Sequence, residues 1–472
     1  MGRMQSRAIV TVSAVVSGLA AASAARAGGP AEPIAVIDHG SFFELNAVDP
    51  AVFTSAQHDG RLAQDMAEAI AAWFRLRPEQ APDFIVVYKG WSPPDSLAFY
   101  QAKANDVAGI GVSEFSGTRP CQGVVYMSSF DQYDEAHLGD AFFRFAWAQE
   151  LAHRWGAYVG IDNVGGTSDP LRGRAQSHWS YFVDTDWSAL QGNDWIDNGD
   201  GTFTTDLASV DGALLYSPLD LYLMGLVPAG AVPDSFWIDE PTGADRTADS
   251  PPEWRVDGDI PVTVTGVRRD VAIGDIIAVA GPRDPSFADA PRRFRVAMLV
   301  LSQLGAPLDA GAIATAESFA ARMADEVARH TRHLAALDIR TGPPPDDAPP
   351  DVVIAVAVDD RTVTLDAGAS SDPDGTPLAF AWDFGDGTGA FGDAPVVEHA
   401  YATSGAHTVT TVAVDRAGSA TTTTTDVTID NLADCGCAAS TRTNPTDALP
   451  WLLVAWWTRR RRTRSDPVET PN

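Results

Sequence analysis

The stretch GPPPDDAPPD, residues 342–351, does most to limit how this chain can fold. Its five prolines fix φ and remove backbone donors, and the aspartates between them favour water, so neither a helix nor a central strand can run through it. It reads as an extended linker between two unlike regions. Residues 33–341 form one large mixed segment, residues 352–430 a small segment of different pattern, and residues 431–472 a tail. An apolar content of 45% gives both regions material for a core.

Residues 1–27 read as an export signal. Arg3 and Arg7 precede the apolar run AIVTVSAVVSGLAAASA, and Ala25-Arg26-Ala27 is an A-x-A cleavage site. Cysteine use fits this: with only Cys121, Cys435 and Cys437, the protein has neither a disulfide framework nor a cysteine-rich zinc site. The formal charge of −30 offers no basic field for phosphates, which excludes nucleic acid as a partner.

In the large segment, DFIVVYKG (83–90) is a short apolar, β-branched run and predicts a buried strand. Residues 61–77, 139–156, 292–305 and 312–337 read as helices, and NDWIDNGDGTFTT (193–205) as a turn followed by a β-run. Residues 352–430 alternate at period two with turn signals between runs, which predicts a small antiparallel β-sandwich. The expected fold class is therefore α/β in the α+β sense, with a C-terminal sandwich.

The chemistry concentrates in QELAH, residues 149–153. Positions four apart on a helix share a face. In H-E-x-x-H two imidazoles so placed grip zinc, and the glutamate between them takes a proton from the bound water. Glu150 and His153 are present, but the first histidine is Gln149, whose amide oxygen is a neutral and weaker donor. No G-x-S-x-G elbow or P-loop offers another chemistry, and Glu114 and the acids at 131–135 have no spacing that selects them as a glycosidase pair.

Three resemblances extend this reading. SSDPDG (370–375), WDFGDG (382–387) and H-x-Y at 399–401 resemble a PKD domain, an extracellular spacer or binding module often joined to secreted hydrolases. Trp382 and Phe384 are its expected core, Asp386-Gly387 its tight turn, and its acidic turns are calcium candidates. DCGC, then ALPWLLVAWW, then RRRR resembles a MYXO-CTERM sorting tail of myxobacterial surface proteins, which is processed near Cys435 and Cys437 by sorting machinery. The apolar part has ten residues where a span needs roughly 20, so any membrane contact is through this tail alone. QELAHRW, SHWS (177–180) and YSPLDLYLMGL (216–226) resemble secreted bacterial zincin-type metalloproteases over roughly residues 80–305.

That last resemblance implies zinc, with Glu150 as general base and His153 as a ligand. His178 is the first candidate for the third ligand and Asp220 the second, with Gln149 as a weak further contact. A hydrogen-bonded His178 and an Asp220 that serves the start of a helix are the alternative readings. Two functions stay open. One is a secreted or cell-surface peptidase acting on protein or peptide; the other is an inactive zincin-fold protein that binds a surface ligand beside its PKD module.

Overall fold

The computed structural model describes residues 34–47, 81–92, 97–115, 121–134, 137–161, 169–186, 188–207, 215–253, 260–303, 305–343 and 346–430. The expected export signal, the helix expected at 61–77 and the expected sorting tail with Cys435 and Cys437 lie outside these residues.

The strands of the large segment are β1 (Ile34–Asp38), β2 (Phe43–Ala47), β3 (Phe84–Lys89), β4 (Phe99–Ala102), β5 (Gly123–Ser129), β6 (Trp179–Asp184), β7 (Gln191–Asn193), β8 (Trp195–Asp197), β9 (Thr202–Thr205), β10 (Ser235–Thr242), β11 (Thr263–Val271), β12 (Arg293–Ser302) and β13 (Ala336–Asp338). Its α-helices, among the described residues, are α1 (Gly139–Ala152), α2 (Pro218–Met224), α3 (Ile273–Ala280) and α4 (Ala310–His330). A seven-stranded mixed sheet runs β1-β2-β12-β3-β5-β4, with β13 also on β12. Its centre is parallel, and its edge strands β1 and β4 are antiparallel to their neighbours. In a second sheet, β7-β6-β10-β11-β9-β8, the stretch read as a turn followed by a β-run is a hairpin of β8 and β9.

The run at 292–305, expected as a helix, is strand β12 instead. Phe294, Val296, Met298 and Val300 join the core on one face, and Ala297, Leu299 and Leu301 the core on the other. A central parallel strand buried on both faces is apolar throughout, so period alone cannot separate it from a buried helix. The neighbouring strand β3, buried along its whole length, is the strand expected at 83–90.

On one face of the sheet lie α1 and α4. The Trp147 indole of α1 donates to the carbonyl of Met323 on α4 at 3.0 Å. Trp155, just past α1, packs edge-on against Phe84 of β3, with ring centroids 5.7 Å apart. Inside the same core, His330 ends α4 fully buried, 2.7 Å from the Glu326 carbonyl through Nδ1. Burial, and then the nearby Arg329 guanidinium, push its pKa down to about 3.

The C-terminal segment adds β14 (Ala355–Asp359), β15 (Thr362–Asp366), β16 (Ala379–Asp383), β17 (Gly389–Gly392), β18 (Val396–Ala400), β19 (Gly405–Val414) and β20 (Ala420–Ile429). They form the expected antiparallel sandwich: sheet β14-β15-β18 faces sheet β17-β16-β19-β20. Side chains alternate across β16 and β19. Phe380, Trp382, Val409 and Ala413 point into the sandwich. Ala379, Ala381, Val412 and Val414 point out, into the core of the large segment.

The segment read as an extended linker is docked along this seam. Asp347 takes a hydrogen bond from Ser419 and lies 3.4 Å from Arg293, and the Pro350 carbonyl accepts from Thr421 at 2.6 Å. Prolines in an extended strip remove few donors that would need partners, so the strip can lie across two modules at little cost.

Two outcomes test this core. Val412→Asp places a carboxylate in the seam, where burying an unpaired charge costs several kcal/mol; calorimetry should then resolve the sandwich from the large domain as a separate transition. A variant that still melts as one unit at an unchanged temperature contradicts the seam. For His330, the depressed folded-state pKa means that the unfolded chain takes up a proton that the folded chain refuses. Stability is therefore lost as pH falls from about 6.5 toward about 3, by up to about 1.4 kcal/mol per pH unit. His330→Asn should flatten this dependence in urea titrations between pH 7 and pH 5; an unchanged slope contradicts it.

Candidate metal centre

Helix α1 ends where the sequence turns to chemistry. His153 caps it in a right-handed conformation, its N–H on the Gln149 carbonyl at 3.2 Å. Positions 149 and 153 are thus one turn apart. The helix end is pinned by two phenols: Tyr216 donates to the Ala148 carbonyl at 2.9 Å, and Tyr158 to the His153 carbonyl at 2.7 Å. Gly156 lies just beyond, where an added Cβ would meet Leu190 Cδ1 at 2.0 Å and make that side chain shift. Gln149, Glu150 and His153 are all buried.

His178 reaches the same place from the loop before β6. Its ring stands edge-on to that of His153, centroids 4.7 Å apart and planes at 84°. His153 and His178 therefore come together, with Gln149 one turn back along α1 and hydrogen-bonded to Glu150. Asp220 does not join them as a ligand. Its carboxylate accepts from the Trp179 indole at 3.0 Å, from the Ser188 hydroxyl at 2.5 Å and from the Ser217 N–H at 2.8 Å. Ser217 is the N-cap of α2, and Asp220 closes the capping box. Burial raises the Asp220 pKa against these bonds. Its link to the site is indirect: it holds Trp179, the residue after His178. Met224 is buried core.

Most of the remaining polar atoms have partners, His153 Nδ1 excepted. Gln149 donates its amide to Glu150 Oε1 at 3.3 Å, and its oxygen accepts from Gln191 at 3.4 Å. Arg174 donates Nη2–H to His178 Nε2 at 2.8 Å. A guanidinium has no acceptor, so Nε2 must supply the lone pair and Nδ1 must carry the hydrogen. Nδ1 accordingly donates to the Arg174 carbonyl at 2.8 Å. His153 Nδ1 has no hydrogen-bond partner among the described residues. Burial, then His178 and Arg174, hold His153 well below its ordinary pKa, as a neutral imidazole. Tyr158 is pushed up to about 12 by burial and then by the charge of Glu150.

Nothing in the sequence singled out Arg174. It lies on an exposed turn in which Ala175 and Gln176 both take the left-handed φ of 57°. Each non-glycine residue there costs roughly 1 kcal/mol.

These residues do not fit zinc. A catalytic zinc takes three protein ligands and leaves one position open. Here the His178 lone pair is given to a guanidinium, the Gln149 oxygen is bonded to Gln191, and Asp220 is committed to its cap. Among the described residues, one group of three acidic or imidazole side chains has ligand atoms within 4.8 Å of one another: Asp184, Asp186 and Asp194, at the end of β6. It is separate from the His153–His178 pair, and FVDTDW gave no sign of it because Asp194 arrives from β7's far end.

The sandwich carries its own signature. Trp382 and Phe384 are buried as expected. Phe384 stacks on His399 at 4.1 Å, and His399 Nε2 lies 2.8 Å from Asp386. Gly387 takes the positive φ of 88° that closes the turn. Among the acids of its turns, Asp366, Asp383 and Asp386 accept backbone N–H groups of Gly368, Gly385 and Thr388, while Asp372 Oδ1 and Asp415 Oδ2 have no hydrogen-bond partner among the described residues. The family model described as "PKD domain" matches residues 347–429. Residues 347–429 are a PKD domain. The PKD domain begins inside the proline-rich strip, at Asp347, which explains why that strip is docked.

Solved structures similar to the chain include the PKD1 domain of Vibrio anguillarum Epp, at 26% identity and TM-score 0.17, covering 18% of this chain and 98% of that one. The PKD1 domain of the Vibrio cholerae metalloprotease PrtV is 25% identical at TM-score 0.17, over 18% of this chain and all (100%) of the other. The PKD domain of the human receptor SorCS2 is 16% identical at TM-score 0.17, over 20% and 85%. No curated protein matches the chain.

Asp220 gives the test of this geometry. Asp220→Ala strands the Trp179 indole and the Ser188 hydroxyl and opens the cap, at about 3 kcal/mol. Denaturant unfolding should show that loss; a change below about 0.5 kcal/mol would contradict the assignment.

Proposed function

We propose that the large domain is a non-catalytic relative of zincin-type peptidases, which binds a protein, peptide or surface ligand rather than cleaving it. The observation that carries this reading is the Arg174 guanidinium on His178 Nε2. It joins Gln149 at the position of the first imidazole. Together they leave too few free donors for a zinc ion, and the peptidase chemistry implied by Glu150 requires that ion. The runner-up, a working zinc peptidase, is favoured by the close approach of His153 and His178.

The PKD domain fits the binding reading as a fixed companion. Its outer sheet face is committed to the large domain, so it presents a ligand at a set angle to that domain. Export through residues 1–27 and surface retention through the sorting tail complete the proposal. This reading does not depend on the calcium candidates in the PKD turns, where Asp366, Asp383 and Asp386 accept backbone N–H groups.

The decisive assay is metal content and protein hydrolysis of the purified chain after zinc exposure and desalting. The expected result is well under 0.1 zinc per chain by an order-of-magnitude margin below the stoichiometric binding of complete sites, with no cleavage of unfolded protein. Near-stoichiometric zinc that disappears in His153→Ala would return the protein to the peptidases.

A further inference from the structure

We propose that Arg174 is the resident cation of this site, seated where a metal ion would otherwise be held. Its guanidinium satisfies the His178 Nε2 lone pair at 2.8 Å, and its carbonyl fixes the other nitrogen of the same ring, also at 2.8 Å. One residue thus sets both the tautomer and the orientation of His178. A ligand histidine ordinarily gives one nitrogen to a metal and the other to a carbonyl or carboxylate. Here the carbonyl is present and the guanidinium takes the metal's side.

Two further observations belong to this assignment. Glu150 is buried in the last turn of α1, and a buried carboxylate requires a compensating positive charge. Arg174 lies near enough to Glu150 to feel its charge. The guanidinium also arrives from outside the core: Arg174, Ala175 and Gln176 are exposed, and the last two hold left-handed backbone. A strained surface turn that projects one long side chain onto a buried ring is kept for what that side chain does.

The assignment rests on the non-catalytic reading and makes a stronger claim: restoring the lost histidine alone does not restore the metal site. The test titrates zinc into the full chain by calorimetry, for wild type, Gln149→His, Arg174→Ala and the double variant. Near-ultraviolet circular dichroism checks the fold of each. The expected result is one zinc per chain for the double variant, at least about 100-fold tighter than for Gln149→His, with no stoichiometric binding by wild type. Gln149→His with Arg174→Lys, which keeps a cation, should fall back to the level of Gln149→His. Equal affinity of Gln149→His and the double variant overturns the role of Arg174 while leaving the non-catalytic reading intact. A natively folded double variant that takes no zinc also overturns it. Stoichiometric zinc in wild type overturns both.

A second measurement needs neither metal nor the double variant. Imidazole nitrogen spectra of wild type should show His178 as the Nδ1–H tautomer with Nε2 shifted by a strong donor, and Arg174→Ala should abolish that shift. An unchanged His178 signal overturns the assignment.

Discussion

A neutral imidazole has a single lone pair to give, and in this protein the one on His178 is given to Arg174. Much of the site follows from that contact. It fixes the His178 tautomer, turns the ring edge-on to His153 and sets a positive charge near Glu150. The surroundings are built around the result: α1 is pinned by Tyr158 and Tyr216, and Asp220 clamps the tryptophan that follows His178. Of the residues that resemble a catalytic set, Gln149 and His178 are held by hydrogen bonds, while His153 Nδ1 has no partner among the described residues.

How much of this was legible in the sequence depended on whether the signal was local. The PKD strands alternate at period two and are bounded by Gly and Asp turns, so the sandwich could be read directly. The helix around QELAH was equally plain, although it ends at Ala152 rather than reaching Gly156. Strand β12 was misread because a strand buried on both faces has no polar side to set its period. The reading of the strip as an extended linker left its surroundings open for a related reason. Prolines report local stiffness but not whether the strip lies in water or along another surface, and here Asp347 and Pro350 are held by Ser419 and Thr421.

The site was legible in its members and illegible in its connections. His153 and His178 were paired by resemblance and do meet. Asp220 was open to two readings, and the structure gives its carboxylate to Trp179, Ser188 and Ser217. Arg174 had no signal at all, because the 3-10 turn that carries it, Arg174–Gln176, is too short and too distorted to show a period. Its reach depends on two left-handed residues that no propensity marks. The seam had a faint signal: Ala379, Ala381, Val412 and Val414 make the outer face of β16 and β19 apolar where an exposed sheet would alternate with polar residues.

The central claim is that a side chain holds the place of the metal. Anomalous diffraction at the zinc absorption edge, from crystals of the full chain grown with excess zinc, tests it most directly. The account requires guanidinium density on His178 Nε2 and no anomalous peak at the histidine pair. A peak about 2.0–2.1 Å from His153 or His178 nitrogen, the distance of a zinc–imidazole bond, with Arg174 swung away, would contradict it.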